Sequence, residues 1–248
     1  MRLIVSFVLI LFARPAFADQ RYVLSGFDRY RVGASELNTE ITYSGKETLS
    51  VARRGHQSQY MARATYVRSD ESGKSPGQAS FAATLLPSGE QHDDTNADPN
   101  YLTVLNQPFA AQLDAQTLRD LEHLRGALPF DFPSPMTGGT LQGSLRRGVF
   151  AKVAGRQVLG VRFEAAGPMR GPLPDHPTMS LTGTISMQGV AYYERDSALL
   201  LALDATLTIL GKLDNDKKAT PVSIVYKRSL RAQGAPQSVK EAASSPPR

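Results

Sequence analysis

The sequence predicts a mainly β chain: one large curved antiparallel sheet, built as a meander, half-barrel or sandwich, with one short α-helix near 114–125. Three observations predict it. Apolar side chains recur at every second position over long stretches, most clearly from Met179 to Tyr193. Short links rich in Gly, Ser and Lys separate those stretches, as in antiparallel meanders. Only one segment is read as a helix from its apolar spacing, so one helix is all that is offered to cover an apolar sheet face.

Residues 1–18, MRLIVSFVLILFARPAFA, come first. Arg2 supplies a positive start, Leu3 to Phe12 an apolar run, and Ala16-Phe17-Ala18 the small residues that a signal peptidase reads. The run is too short for a membrane span, which needs roughly 20 apolar residues. The expectation is a secretory signal cleaved between Ala18 and Asp19, a periplasmic or secreted product, and no transmembrane segment in the mature chain. The sequence contains no cysteine. That leaves neither a lipid-attachment residue nor a disulfide framework, although an oxidising compartment would permit disulfides.

Three regions are expected: the signal at 1–18, a single β-rich domain at 19–231, and a disordered tail at 232–248. The domain, about 210 residues, is long enough to bury roughly 70% of its unfolded surface. In its first half, four strands are suggested by Leu37, Ile41 and Tyr43; by Leu49 and Val51; by Tyr60 and Tyr66; and by Ala79, Phe81 and Leu85. Residues 86–112 then read as a long irregular connection. Leu118, Leu121 and Leu124, three apart behind a capping Asp114, mark the helix, which Gly126 ends. Leu113 and Leu128 flank it.

The stretch 128–139, LPFDFPSPMTGG, reads as a second irregular connection. Its Phe130 and Phe132 suit either a pocket mouth or partner contact, or a crossover covering the open end of the core; the second is favoured. Leu141, Leu145, Val149 and Val153 share one side of the next strand, and Leu159, Val161 and Phe163 follow after a turn at Gly155. From Met179 to Tyr193 the odd positions are mostly apolar and the even ones mostly Ser, Thr and Gln. Side chains of successive strand residues point to opposite faces, so this is a strand with one face buried. Leu199 to Ile209 repeats the alternation after a polar turn at Glu194–Ser197. Leu200, Leu203, Leu207 and Leu210 also suit a helix, but β-branched Thr206, Thr208 and Ile209 favour a hairpin. Val222, Ile224, Tyr226 and Leu230 mark the final strand.

Charge and motifs exclude more than they select. Without Arg2 and Arg14 the 28 basic residues become 26 against 23 acidic ones, a formal charge of +3. The four arginines between Arg53 and Arg68 are spread along strands, so nucleic acid is not an expected partner. Asp94, Asn96 and Asp98 alternate as calcium-loop ligands do. Pro99 then occupies the position that needs glycine, and Leu105 the one that needs glutamate, so a solvated loop is expected. His56, His92, His123 and His176 lack metal spacing, and no nucleophile elbow or phosphate loop is present. No catalytic, cofactor-binding or metal residue is selected, and no cofactor is expected.

Three segments, DPNYLTVLNQPF, LPFDFPSPMTGG and GVAYYERDSALLLALDATLTILG, together resemble uncharacterised exported proteins of Gram-negative bacteria. The resemblance implies export and carries no activity. The envisaged sheet around a helix is similar to periplasmic lipoprotein carriers and related lipid-binding half-barrels. That likeness implies a lipid or other apolar ligand, or a partner, on the concave face. The alternative is a hydrolase-type enzyme whose site is assembled from distant strands, which would show as buried, clustered carboxylates or histidines.

Overall fold

The computed structural model describes residues 18–33, 38–54, 57–85, 91–93, 113, 115–133, 140–153, 155–173, 176–215 and 218–233. Among them the chain forms β1 (Ala18–Val32), β2 (Asn38–Arg54), β3 (Gln57–Asp70), β4 (Gly73–Leu85) and the three-residue β5 (Gln91–Asp93). Helix α1 (Ala115–His123) follows, then β6 (Ala127–Pro133), β7 (Thr140–Val153), β8 (Arg156–Leu173), β9 (His176–Glu194), β10 (Leu200–Asn215) and β11 (Lys218–Ala232). All the strands join one antiparallel sheet in the order β5-β4-β3-β2-β1-β11-β10-β9-β8-β7-β6. The first meander therefore steps outward from β1, the second steps inward to β11, and β1 and β11 pair at the centre from Tyr22↔Ala232 to Val32↔Val222. Among the described residues no ladder joins β5 to β6, so their sheet is open and not closed into a barrel.

Strand spacing of about 4.8 Å would make a flat sheet of this many strands nearly 50 Å wide. A nine-residue helix is only about 13 Å long. Helix α1 alone cannot cover such a face; the sheet curves, and the side chains of its inner side are buried. Leu24 of β1, Ile41 of β2, Leu145 of β7, Phe163 of β8 and Ile209 of β10 all belong to one buried cluster. Leu113, Leu118 and Leu121 join it with no exposed surface. Helix α1 is held at the β9–β10 turn: Arg195 Nε and Nη2 donate to Glu122 Oε1 and Oε2 at 2.6 and 2.8 Å, and Arg147 Nη1 donates to the Glu122 carbonyl at 2.5 Å. No helix of the described residues is long and apolar enough to cross a membrane.

The sheet, the single short helix, the hairpin of β9 and β10 and the turn at Gly155 (φ +80°) are as expected. Several strand assignments are corrected. The whole of β1 was absent from the expectation. Ile41 to Val51, read as parts of two strands, lies on the single strand β2. The segment 128–139 is not a mere crossover: Ala127–Pro133 is an edge strand paired with β7, with Phe132 buried and Phe130 half-buried, their rings 4.8 Å apart. Proline is tolerated on an edge because the missing N–H faces away from the ladder. Leu124 lies beyond the helix and is exposed, so it is not part of the buried stripe. The Asp94–Asp98 loop and the tail beyond Gln233 lie outside the described residues.

Candidate functional site: a buried polar cluster on the concave face

Inward-facing positions of the central strands follow strict parity: Tyr22, Leu24, Gly26, Asp28 and Tyr30 on β1, then Ile41, Tyr43, Gly45, Glu47 and Leu49 on β2. On β11 they are Val222, Ile224, Tyr226, Arg228 and Leu230. Three charged side chains thus enter a face that is otherwise apolar and aromatic. Asp28 has no exposed surface, Glu47 has 1% and Arg228 has 2%.

The backbone makes room for them. Gly26 pairs with Tyr43 on one side and Arg228 on the other. A Cβ there would lie 2.7 Å from Arg228 Cδ, so glycine lets the arginine cross β1 and set its guanidinium 4.6 Å from the centre of the Tyr43 ring. Arg228 Nη2 pairs with Asp28 Oδ1 at 2.5 Å, while Nη1 donates to the carbonyls of Phe27 and Lys227, both at 2.8 Å. Tyr43 hydrogen-bonds Asp28, and the Tyr30 hydroxyl lies 3.4 Å from Asp28 Oδ2. The Tyr30 and Tyr226 rings meet edge-on at 6.0 Å, as do those of Tyr43 and Tyr66 at 5.6 Å. Removing one member of such a buried pair costs about 3–5 kcal/mol, because the other charge is left uncompensated.

Glu47 differs from the rest. It sits opposite Tyr22 on β1 and Ala64 on β3, and neither of its carboxyl oxygens has a hydrogen-bond partner among the described residues. Tyr22 does not supply one; its hydroxyl donates to the Leu200 carbonyl at 2.8 Å. Burial pushes the Glu47 carboxyl up to about 8, against a smaller downward pull from Arg228. Asp28 is also raised by burial, with Arg228 opposing. The phenols of Tyr22, Tyr30 and Tyr43 are pushed above their ordinary range by burial, and Tyr226 to about 12. At neutral pH the cluster therefore holds Glu47 as a neutral carboxylic acid beside the Asp28–Arg228 contact. Such an acid can donate and accept a hydrogen bond in an apolar setting.

No known protein family's model matches the chain, and no curated protein matches it in sequence. Function has to be read from the cluster itself. Among the described residues, no group of three or more His, Asp or Glu is placed to hold a metal ion. Of the histidines, His123 is exposed at the end of α1, and His56 lies outside the described residues. No sequence motif contains Asp28, Glu47 or Arg228. The one signal was phase, since Arg228 occupies the inward parity of Val222, Ile224, Tyr226 and Leu230.

Proposed function

We propose that the protein is an exported envelope protein that binds an amphiphile on the concave face of its open sheet. The hydrocarbon would lie against the apolar lining and the polar head at Glu47. The observation that carries this is the buried Glu47 carboxyl without a hydrogen-bond partner among the described residues, in a face that apart from Asp28 and Arg228 is built of apolar and aromatic side chains. Binding sites for apolar ligands have this composition: a mostly apolar lining with a few convergent polar groups that orient the ligand. Burying an unpaired polar group costs on the order of 1–3 kcal/mol. A ligand that hydrogen-bonds Glu47 recovers that cost. Because β5 and β6 are unjoined, the face has a route to open that a closed barrel lacks. Export rests on the residue 1–18 pattern and the resemblance to exported proteins; the likeness to lipid-binding half-barrels is one of architecture.

Native mass spectrometry and organic extraction of the purified protein test this reading. The expected result is a co-purifying lipid, together with saturable binding of the apolar probe N-phenyl-1-naphthylamine that added phospholipid displaces. Glu47→Leu should keep the fold and probe binding while weakening displacement by lipids with hydrogen-bonding heads. Absence of both lipid and probe binding would dispose of it. A second reading, the hydrolase-type enzyme, gains from the burial of Asp28 and Glu47 together. It predicts turnover of ester or glycosidic substrates that Asp28→Asn and Glu47→Gln both abolish.

A further inference from the structure

The convex side of the N-terminal meander carries a groove of about 590 Å3 across β1 to β4. Its cations are Arg21, Lys46 and Arg63. Register places them closely: Arg21 pairs with Thr48, Thr48 with Arg63, and Lys46 lies one row along, between Val23 and Thr65. The Cα atoms of Arg21 and Arg63 are thus two strand spacings apart, about 10 Å, with Lys46 between their rows. All three side chains are exposed. None belongs to an ion pair or side-chain hydrogen bond among the described residues. Glu47, which borders the groove, turns its side chain to the opposite face and is buried there. The acid of the adjoining row, Asp19, accepts from Ser50 Oγ at 2.5 Å.

A second convex groove shows what an ordinary face of this sheet looks like. It has nearly the same volume, about 580 Å3, but acids stand among its cations: Glu164 lies 3.5 Å from Arg146, and Asp204 pairs with Arg231 beside the groove at 2.6 Å. The first groove lacks such matching, and it has apolar neighbours on the same convex side. Val23, directly opposite Lys46, is 52% exposed and Val67, two residues along β3 from Thr65, is 40% exposed. Cations interleaved with exposed valines, above a row of Thr and Ser hydroxyls, fit a layer of phosphate heads over hydrocarbon better than they fit solvent.

We infer that this face docks the protein on a membrane surface rich in anionic phospholipid. The docking face is separate from the concave cluster and does not depend on what that cluster binds. The three cations engage lipid phosphates, and Val23 and Val67 press into the interfacial zone. Nucleic acid also presents phosphates, but it offers nothing for exposed valines to enter.

Cosedimentation of the full mature chain with vesicles tests this. With phosphatidylcholine vesicles containing one third phosphatidylglycerol, binding is expected, and with pure phosphatidylcholine vesicles it should be weak. Replacing Arg21, Lys46 and Arg63 together by Gln should lower partitioning on the order of 100-fold, from the usual contribution of each cation near an anionic surface. Replacing exposed Lys152, Arg170 and Lys212 by Gln removes the same charge from the other meander and should leave binding within about threefold. Circular dichroism and melting temperature establish that each variant is folded. Equal binding to both vesicle types, equal loss in both triple variants, or full competition by millimolar inorganic phosphate would each overturn the inference. So would binding a DNA duplex as tightly as the anionic vesicles.

Discussion

At the scale of single residues, Glu47 sets a clear sign for pH dependence. Its carboxyl titrates near 8 in the fold against an ordinary value of 4.5. Between those values the folded state holds a proton that the unfolded chain has released, so stability falls as pH rises through that window and levels off above it. Asp28, also raised, acts in the same direction. Glu47→Gln, nearly isosteric and neutral at every pH, should flatten the slope and stabilise the protein at pH 8 by on the order of a few kcal/mol. Urea unfolding of both forms at pH 5 and pH 8 checks it, and parallel pH profiles would refute it. None of this was legible in the sequence. Charged residues are almost never fully buried unless paired, so nothing in the sequence singles out Glu47, Asp28 and Arg228 as buried. Only the register of β1, β2 and β11 turns them to the same side.

The elements divide by how pure their alternation is. Strands β9 and β10 were legible because nearly every inward residue is apolar and nearly every outward one polar. Strand β1 was not: it sends Gly26 and Asp28 inward while Val23 and Phe27 face outward. Glu47 and Gly45 likewise break the inward series of β2 in the middle, which made one strand look like pieces of two. The residues that form the cluster are therefore the same ones that hid its strands. Helix α1 was legible from its leucines, but its anchor was not, since Glu122 meets Arg195 from 73 positions away. That two-pronged pair holds the Glu122 carboxyl below its usual range through its hydrogen bonds to Arg195. Arg195 also lies 5.2 Å from the Phe150 ring centre. Arg195→Ala should lower stability by about 1–2 kcal/mol, as expected for hydrogen bonds to charged groups at a partly exposed site. Amide exchange should speed up across 115–123 more than in β9 or β10. Uniform exchange across the protein would show that α1 is not held by this pair.

For the whole molecule, the expectation of one curved antiparallel sheet with one short helix was met, and strand order was what the sequence did not disclose. Alternation reports which face a residue takes; it carries no information about which strand lies beside which. The pairing of β1 with β11 joins the two ends of the described chain at the middle of the sheet, and Gln233 N donates to the Arg21 carbonyl at 2.8 Å just beyond the ladder. Both ends leave from the same end of that ladder. A pulling force applied through them would load one backbone hydrogen bond at a time and peel β1 from β11 like a zipper, instead of shearing the whole row at once. Held by both ends in an optical trap, the protein should yield at low force, with the central seam parting first and the two meanders following. Fixing one handle at Asp19 and the other at Asp214, at the opposite end of the β10–β11 ladder, loads the rows of hydrogen bonds in shear and should demand a higher force. Mechanical weakness would then be a matter of direction, set by the seating of β1 against β11 at the middle of the sheet.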